Sequence, residues 1–271
     1  MTRMAGAQWL VGPKAEIALR DRDAGSLVGA PGDRATTEAA VAELQGRLAV
    51  LQSRLWAEGR RSLLVVLQGT DASGKDGTIS HVFSCLDLLG TRVASFKEPT
   101  GEELAHDFLW RVHARCPAAG EIVIFNRSHY EDVLAARVRR LVAPEIWRAR
   151  YAHINAFESL LSGAGTRLVK VFLHISKEEQ HKRLQQRLDD PNKSWKVQQS
   201  DFDDRELWPA YSAAFEEMLQ KTSTDKAPWY VVPADHKWYR NWVVTNVVLE
   251  TLEEMDPQYP RPAPAGDVTE G

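Results

Sequence analysis

A glycine-rich segment with one lysine is the clearest chemical signal in the chain. It reads Gly-Thr-Asp-Ala-Ser-Gly-Lys-Asp-Gly-Thr over residues 69–78, between an apolar run and apolar residues at helical spacing. In a P-loop, glycines let backbone N–H groups face a phosphate, and the lysine reaches the outer phosphate oxygens. Gly69, Gly74 and Lys75 fit that chemistry, with an ordinary glycine turn as the alternative. The remaining predicted phosphate-binding residues of the loop are Ala72, Ser73, Asp76 and Gly77.

Two acidic residues of this loop predict an unusual metal site. Asp76 stands directly after Lys75, where an ordinary P-loop has a Ser or Thr hydroxyl that binds Mg²⁺. Asp71 lies inside the loop, and a hard cation takes one or two carboxylates together with phosphate oxygens and waters. We therefore predict that Asp71 binds Mg²⁺, or Mn²⁺ in its place. The alternative is a carboxylate that caps the following turn.

A second polar segment is predicted to complete the site. The apolar run 121–125 leads into Asn126 and Arg127, and Asp132 follows five residues later. In parallel sheets the ligand sits at the carboxyl ends of the strands, so this segment is expected to face the same crevice as the P-loop. Arg127 is predicted to clamp a phosphate, and Asp132 to complete the metal site or to orient the attacking oxygen. A surface ion pair and an acid in the first turn of a helix are the respective alternatives.

A charged turn after another apolar run is predicted to border a nucleotide acceptor. Lys97 and Glu98 begin this turn, and a Pro-Thr-Gly sequence follows them. Together with Asn126 and Arg127, they are the candidate contacts to the acceptor. A plain Pro-Gly loop explains Lys97 and Glu98 equally well.

A basic stretch later in the chain predicts a lid. Arg183 and Arg187 are four residues apart and share one helical face beside apolar residues. Such a face suits a lid that closes over the transferring phosphoryl group, so both arginines are predicted to be catalytic. Lys193 and Lys196 continue the stretch and are predicted to bind phosphate. A solvated basic face paired with neighbouring acids is the alternative.

The elements that must position these residues alternate along the chain. An amphipathic helix is predicted over residues 37–61, and helical stretches separate the later apolar runs. This alternation indicates βαβ units, so we predict an α/β fold with a central parallel five-stranded sheet flanked by helices in three layers. The predicted strands are residues 63–67, 92–96, 121–125, 167–174 and 229–232. The predicted organisation is an N-terminal arm (1–35), a single domain (36–257) with a lid at about 180–205, and a C-terminal tail (258–271).

Composition narrows the function classes. The 271 residues carry 34 Lys and Arg against 37 Asp and Glu, and the net charge of −3 offers no global attraction to nucleic acid or to an anionic membrane. Cys85 and Cys116 lack CxxC spacing and are too few for a disulfide scaffold or a four-ligand zinc site. The chain has no 18-residue apolar run and no signal-peptide core, so a cytoplasmic location is expected.

Three motifs in order resemble the polyphosphate kinase 2 family. They are the P-loop segment, the polar segment and a Pro-x-Lys-x-Trp-Lys sequence, at residues 69–79, 125–133 and 191–196. Asn126 stands where other branches have Asp, and in this respect the motif is similar to that of class III members. The resemblance runs from about residue 60 to residue 259 and includes segments 227–235 and 237–241. Val197 departs from the aromatic residue expected in this branch.

The resemblance implies a function as well as a fold. It implies a P-loop kinase core with a helical lid, magnesium dependence, inorganic polyphosphate as phosphoryl donor or acceptor, and a homo-oligomer, a dimer or a tetramer. The class III wording implies phosphorylation of AMP to ADP and of ADP to ATP, with guanine nucleotides as further candidate substrates. Because one phosphoanhydride is exchanged for another, the reaction is expected to be reversible.

Two other functions fit parts of the sequence. Lys97-Glu98-Pro and Asn126-Arg127 are also similar to thymidylate kinase, so an ATP-dependent nucleoside monophosphate kinase is one alternative; Asp76 at the Ser or Thr position counts against it. A non-catalytic nucleotide-binding protein is the other. The presence of Asp71, Lys75, Asp132 and both lid arginines counts against that reading.

Overall fold

A mixed β-sheet runs through the middle of the protein. The structure is a computed structural model that describes residues 6–197 and 199–261, with only the backbone described at residues 196, 200 and 201. Within these residues the sheet has six strands: β1 (Leu10–Val11), β2 (Ser62–Gln68), β3 (Thr91–Ser95), β4 (Ile122–Asn126), β5 (Thr166–His174) and β6 (Trp229–Pro233). Their spatial order is β1-β6-β5-β2-β4-β3. All neighbouring strands are parallel except β1 and β6, which are antiparallel.

Helices connect the strands and cover both faces of the sheet. The longer ones are α1 (Arg34–Glu58), α2 (Lys75–Val82), α6 (Pro144–Gly163), α7 (Lys177–Asp189), α8 (Gln199–Glu206), α9 (Trp208–Thr222) and α10 (Lys237–Met255). The single-turn helices are α3 (Gly101–Leu104), α4 (Trp110–His113) and α5 (Ala135–Val138). In the described part of the chain, none of the helices has the length and apolar character needed to cross a bilayer.

Strand β2 explains why the protein has three layers. Successive side chains of a strand point to opposite faces of the sheet. Leu64 and Val66 pack into one apolar cluster with residues of α6 and α9. Leu63, Val65 and Leu67 pack into a second cluster with residues of α1, α2 and α10. Because both faces are covered, residues 63–67 of the strand are all apolar, and the predicted three-layer α/β fold is confirmed.

Helix α1 confirms the predicted amphipathic helix with slightly earlier bounds. The side chain of Asp33 accepts a hydrogen bond from the N–H of Thr36 and caps its start. Gly59 ends the helix in the left-handed conformation. Leu48 and Leu55, from the predicted apolar stripe, are fully buried against the sheet.

The structure differs from the sequence-based prediction at the N-terminus. Residues 6–31 belong to the segment predicted as an arm, yet they contribute β1, and Ile17 and Leu19 are buried. The N–H of Leu19 also donates to a carboxylate oxygen of Glu216 at 2.7 Å. A two-residue strand and isolated apolar residues carry no period, so only their long-range partners reveal them. The single domain and its lid at about residues 180–205 stay predictions, and residues 1–5 and 262–271 lie outside the described chain.

Candidate active site

The P-loop joins strand β2 to helix α2 in the predicted order. Gly69 has a φ of +152° and Gly74 a φ of +106°, values that favour glycine. A Cβ atom at Gly69 would also lie 2.9 Å from the carbonyl oxygen of Leu173. These two positions let the chain leave the sheet and curl into the start of α2. The backbone of the loop is therefore shaped to surround an anion at a helix N-terminus.

Lys75 lies within this curl. Its side chain is buried, and its Nζ donates hydrogen bonds to the carbonyl oxygens of Gly69 at 2.6 Å and Thr70 at 3.1 Å. Burial lowers the pKa of Lys75 to about 8, although the charge of Asp71 acts in the opposite direction. The Lys75 ammonium therefore begins to lose its proton at mildly alkaline pH. Its hydrogen bonds hold it at the bend of the loop.

Asp71 and Arg127 form an ion pair across the top of the sheet. The Nη2 of Arg127 donates to Oδ1 of Asp71 at 2.7 Å. Burial alone would raise the pKa of Asp71, but the charges of Lys75, Arg127 and Arg187 outweigh it and leave that pKa below its usual value. Arg127 was predicted to clamp a phosphate. The structure places it against the carboxylate of the P-loop, with a φ of +61° that turns the chain at the end of β4.

Asn126 contacts the second acid of the P-loop. Its Nδ2 donates to Oδ1 of Asp76 at 2.9 Å. Asp76 differs from the Ser or Thr of an ordinary P-loop, and Asn126 differs from the Asp that other branches with this motif carry. The structure joins them in a single hydrogen bond.

Glu131, and not Asp132, is the acid of this segment whose charge acts on the P-loop. Burial raises the pKa of Glu131, and the charges of Arg127 and Lys75 oppose that rise. Asp132 instead forms an ion pair with Arg150 at 3.0 Å. The structure therefore gives Asp132 a different charged partner, whereas Glu131 is the acid on which the charge of Asp71 acts, and this revises the predicted metal pair.

The turn that carries Glu131 and Asp132 points the two acids in different directions. Residues His129–Asp132 form a 3₁₀ helix, in which side chains at positions i and i+3 eclipse each other. Asp132 consequently projects on the side of His129, whose charge acts on its pKa together with those of Arg150 and Arg111. Glu131 projects to another side. Nothing in the sequence distinguishes this turn from the first turn of an α-helix.

A buried ion pair that sequence analysis missed lies beneath this 3₁₀ helix. The Nζ of Lys170, on β5, donates to Glu158 on α6 at 2.6 Å and to the hydroxyl of Tyr130 at 2.9 Å. The Tyr130 hydroxyl donates to Glu158 at 2.6 Å, and His129 Nε2 lies 3.3 Å from the same carboxylate. Side chains of the polar segment are thus tied to two other elements. A lysine within the otherwise apolar run 168–173 is the sequence signal for this pair.

Arg183 and Arg187 do not share an exposed face. Arg183 is buried, and its guanidinium donates to the carbonyl oxygens of Ala72 and Ser73 on the P-loop at 3.2 and 3.1 Å. Arg187 lies one turn further along α7, is half-buried, and acts electrostatically on Asp71. The prediction that Arg183 closes over the transferring group is thus corrected, because Arg183 supports the loop from behind. Arg187 stays a lid candidate.

The other predicted substrate contacts lie at the edges of the site. Lys97 and Glu98 are exposed just beyond β3, which pairs with β4 at the level of Asn126. Arg111, which sequence analysis missed, donates to the carbonyl oxygen of Lys97 at 2.8 Å. Lys193 is exposed and forms an ion pair with Asp190. The side chain of Lys196 lies outside the described part of the structure.

The donor set around Asp71 fits a divalent metal ion. The charges of Lys75 and Arg127 act on both Asp71 and Glu131, and the charge of Asp71 adds to the effect of burial in raising the pKa of Glu131. In the described residues, no group of three or more His, Cys, Asp or Glu side chains could hold a metal. Two carboxylates completed by phosphate oxygens and waters match the preference of Mg²⁺ for substrate-bridged sites.

Comparisons with known proteins agree on one family. The family model described as Polyphosphate kinase 2 matches residues 32–260. The chain is 50% identical over 260 residues to an AMP/ADP-polyphosphate phosphotransferase of Meiothermus ruber, covering 96% of this chain and 97% of the relative. It is 42% identical over 231 residues to an ADP-polyphosphate phosphotransferase of Rhodopseudomonas palustris, covering 81% and 80%. A crystal structure of Polyphosphate Kinase 2 from Arthrobacter aurescens TC1 matches with a TM-score of 0.92 at 42% identity, covering 96% of this chain and 93% of that one.

Proposed function

The chain belongs to the polyphosphate kinase 2 family, and on that basis we propose that it transfers a phosphoryl group between inorganic polyphosphate and nucleotides, converting AMP to ADP and ADP to ATP. It is a phosphotransferase, and the Meiothermus ruber relative is named for both AMP and ADP. The observation that carries the proposal is the P-loop in which Asp76 replaces the hydroxyl residue and is held by Asn126. This arrangement departs from ordinary ATP-dependent kinases at the position that normally binds the metal.

Phosphoryl transfer depends on positioning and charge neutralisation more than on covalent participation of the protein. We assign Lys75 and the loop amides to the terminal phosphates of the donor chain. Arg127 lies 2.7 Å from Asp71 and so is close enough to the loop to neutralise charge on the moving group. Arg187 is assigned to closure over that group, which would also exclude water and suppress hydrolysis.

A divalent metal ion is needed by kinases of this family, and we propose Mg²⁺, with Mn²⁺ able to replace it. Asp71 and Glu131 would hold the ion, with Asp132 displaced from the role that the sequence suggested. When bound, the ion neutralises negative charge on the phosphate oxygens. The carboxylate of Asp71 is ionised at neutral pH because its pKa is lowered, so it is ready to bind a cation.

The acceptor nucleotide is proposed to lie on the side of β3 and β4. Lys97 and Glu98 border that side. Arg111 adds a cation that the sequence did not indicate, and Asp132, paired with Arg150, adds an acid that the sequence had assigned to the metal or to the attacking oxygen. The phosphate of the acceptor would then approach Arg127 from the side opposite the donor. A cytoplasmic location, use of guanine nucleotides, and assembly into a dimer or tetramer belong to the proposal as further predictions.

One experiment decides between the proposed function and its alternatives. The purified protein is incubated with AMP, long-chain polyphosphate and Mg²⁺ without ATP, and nucleotides are separated by chromatography. We expect ADP first and ATP later. Lys75→Ala protein, purified in the same way, controls for contaminating kinases, and ADP without polyphosphate controls for disproportionation. Product only with ATP as donor would favour a nucleoside monophosphate kinase, and a reaction that stops at ADP would contradict the second step.

A further inference from the structure

The segment at residues 237–241 belongs to the sequence resemblance but has no role in the site described so far. It forms the first turn of α10. Its Arg240 is 2% exposed, one of the largest fully enclosed side chains of the described protein. A long cationic side chain buried beside a phosphate-binding loop calls for a physical reason.

The guanidinium of Arg240 packs directly against the P-loop. A Cβ atom at Gly74 would lie 1.9 Å from Nη1 of Arg240, and one at Gly77 would lie 3.4 Å from Nη2. Gly74 is therefore required by contact as well as by its positive φ. Gly77 is not part of the ordinary P-loop pattern, and a Cβ there would make only ordinary contact with the arginine, so Gly74 is the glycine that leaves space for Arg240.

Two arginines bind the same stretch of loop backbone. Nη1 of Arg240 donates to the carbonyl oxygen of Ser73 at 3.4 Å, and Nη1 of Arg183 donates to that oxygen at 3.1 Å. Arg183 is anchored in turn by the carbonyl oxygens of Ala234 and Asp235, at 2.6 and 2.7 Å. In a planar trans peptide the C=O and the next N–H point in opposite directions. Holding the Ser73 carbonyl towards the arginines therefore turns the N–H of Gly74 away from them, towards the inside of the loop.

The charge of Arg240 has no acidic partner among the described residues. Its Nε and Nη2 donate to the amide oxygen of Asn241 at 3.2 and 2.8 Å. Arg183, by contrast, has an ion pair with Glu179 at 2.9 Å. Burial and the nearby charge of Arg183 lower the pKa of Arg240 to about 9, so it stays protonated at neutral pH. Because the N-terminus of α2 is also positive, the region holds positive charge that an anion would compensate.

We propose that Arg240 and Arg183 form a brace behind the P-loop, which presets the loop amides for phosphate, and that the unpaired charge of Arg240 strengthens the attraction for the bound anion. Arg240 is thus a positioning residue. The identity of that anion as a phosphate chain rests on the proposed function, whereas the brace itself rests on the contacts described above.

Three variants of the full chain separate charge from packing. Asn241→Asp keeps the arginine and adds a carboxylate at hydrogen-bond distance, which compensates its charge. Arg240→Lys keeps the charge and removes the two-pronged contact. Thr245→Val is the matched control on the same helix, since Thr245 is fully buried and its hydroxyl donates to Asn241 O within α10.

Binding of inorganic tripolyphosphate, measured by calorimetry, is the first readout, and thermal melting without ligand is the second. Asn241→Asp should weaken tripolyphosphate binding about tenfold or more, because the new carboxylate cancels the attraction between Arg240 and the anion. The melting temperature should stay the same or rise. Arg240→Lys should lower kcat more than it raises KM for polyphosphate, because the amides lose their preset direction. Thr245→Val should match the wild type in both.

The brace is overturned if Asn241→Asp and Arg240→Lys bind tripolyphosphate and turn over as the wild type does. If Arg240→Lys does not fold, Asn241→Asp decides alone, since it retains Arg240. A wild type that binds tripolyphosphate through these residues but does not phosphorylate AMP from polyphosphate would contradict the proposed function and leave the brace standing. Polyphosphate-driven phosphorylation of AMP that neither variant changes would support the proposed function and contradict the brace.

Discussion

The Nδ2 of Asn126 donates a hydrogen bond to Oδ1 of Asp76 across 2.9 Å, joining the end of β4 to the first turn of α2. The amide supplies a donor to an acid that stands where other P-loops carry a hydroxyl. An Asp at position 126 would instead place its own carboxylate about 2.9 Å from that of Asp76. The two sequence departures are thus two halves of one contact, and this contact predicts how they depend on each other.

Replacing Asn126 by Asp should make activity depend on pH in a new way. Two neighbouring carboxylates raise the pKa of one of them, so their repulsion is fully present above that raised pKa and disappears as pH falls through it. We expect Asn126→Asp to lose about tenfold in kcat at pH 8 and to recover at pH 6, by the size of such charge interactions. Asn126→Ala, which removes the bond without adding charge, should lose activity equally at both pH values. A flat pH profile for Asn126→Asp would contradict this account.

Asp71→Asn and Lys75→Ala should each remove most of the turnover without unfolding the protein. Removing a preorganised charge at a phosphoryl-transfer site costs about 3 kcal/mol or more in the transition state, so kcat should fall by at least about a hundredfold. Initial rates and thermal melting measure the two effects. Arg34→Ala is the control, because Arg34 forms only an exposed ion pair with Glu38 on α1. Near wild-type rates in either variant would show that the transferring phosphate lies elsewhere.

The metal should depend on Glu131 and not on Asp132. Glu131→Gln is expected to raise the Mg²⁺ concentration that gives half-maximal rate, because one of two proposed carboxylate ligands is lost. Asp132→Asn should leave that concentration unchanged and raise KM for AMP, because Asp132 pairs with Arg150 on the acceptor side. Mg²⁺ titrations at saturating substrates and AMP titrations at saturating Mg²⁺ measure the two effects. The opposite pattern would return the metal role to Asp132.

Lys75 predicts an alkaline limit to activity. Its pKa is lowered to about 8, so the ammonium that attracts phosphate is present below that value and is lost as pH rises through it. We expect kcat/KM for polyphosphate, which reports the free enzyme, to fall above about pH 8, whereas kcat should fall at higher pH. The arginine of Lys75→Arg keeps its charge throughout this range. The kcat/KM of this variant should therefore be lower than that of the wild type but should not decrease above about pH 8. A wild-type profile that stays level to pH 9.5 would rule out Lys75 as the group responsible.

The buried Lys170 and Glu158 should depend on each other for stability. Removing one partner leaves an uncompensated buried charge, so Lys170→Met should lower the free energy of unfolding by about 3–5 kcal/mol. The double variant Lys170→Met with Glu158→Gln should recover much of that loss, since no unpaired charge remains. Denaturant unfolding of the two single variants and the double variant gives the coupling energy. Additive losses would show that the ion pair does not act as a unit.

Local patterns in the sequence determined the strands and the P-loop. The continuous apolar run of β2 and the alternation with helices indicated a parallel sheet, and the five predicted strands agree with the structure to within about one residue at most ends. Gly69, Gly74 and Lys75 lie in one loop, so their order along the chain already fixed their relationship. Such segments can be predicted from sequence because their conformation depends on residues that are close together in the chain.

Tertiary structure decided which charged groups meet. Glu131 and its neighbour Asp132 point to different sides of one short 3₁₀ turn, and only the packing of that turn decides which of the two acids faces the P-loop. Only packing placed Arg183 and Arg240 together behind the loop, from α7 and α10, although they are 57 positions apart in the chain. Such contacts leave no periodic trace, because each needs one partner at an arbitrary distance along the sequence. The sequence could thus name the phosphate loop, whereas the directions of its acids and the arginines that support it followed from the fold.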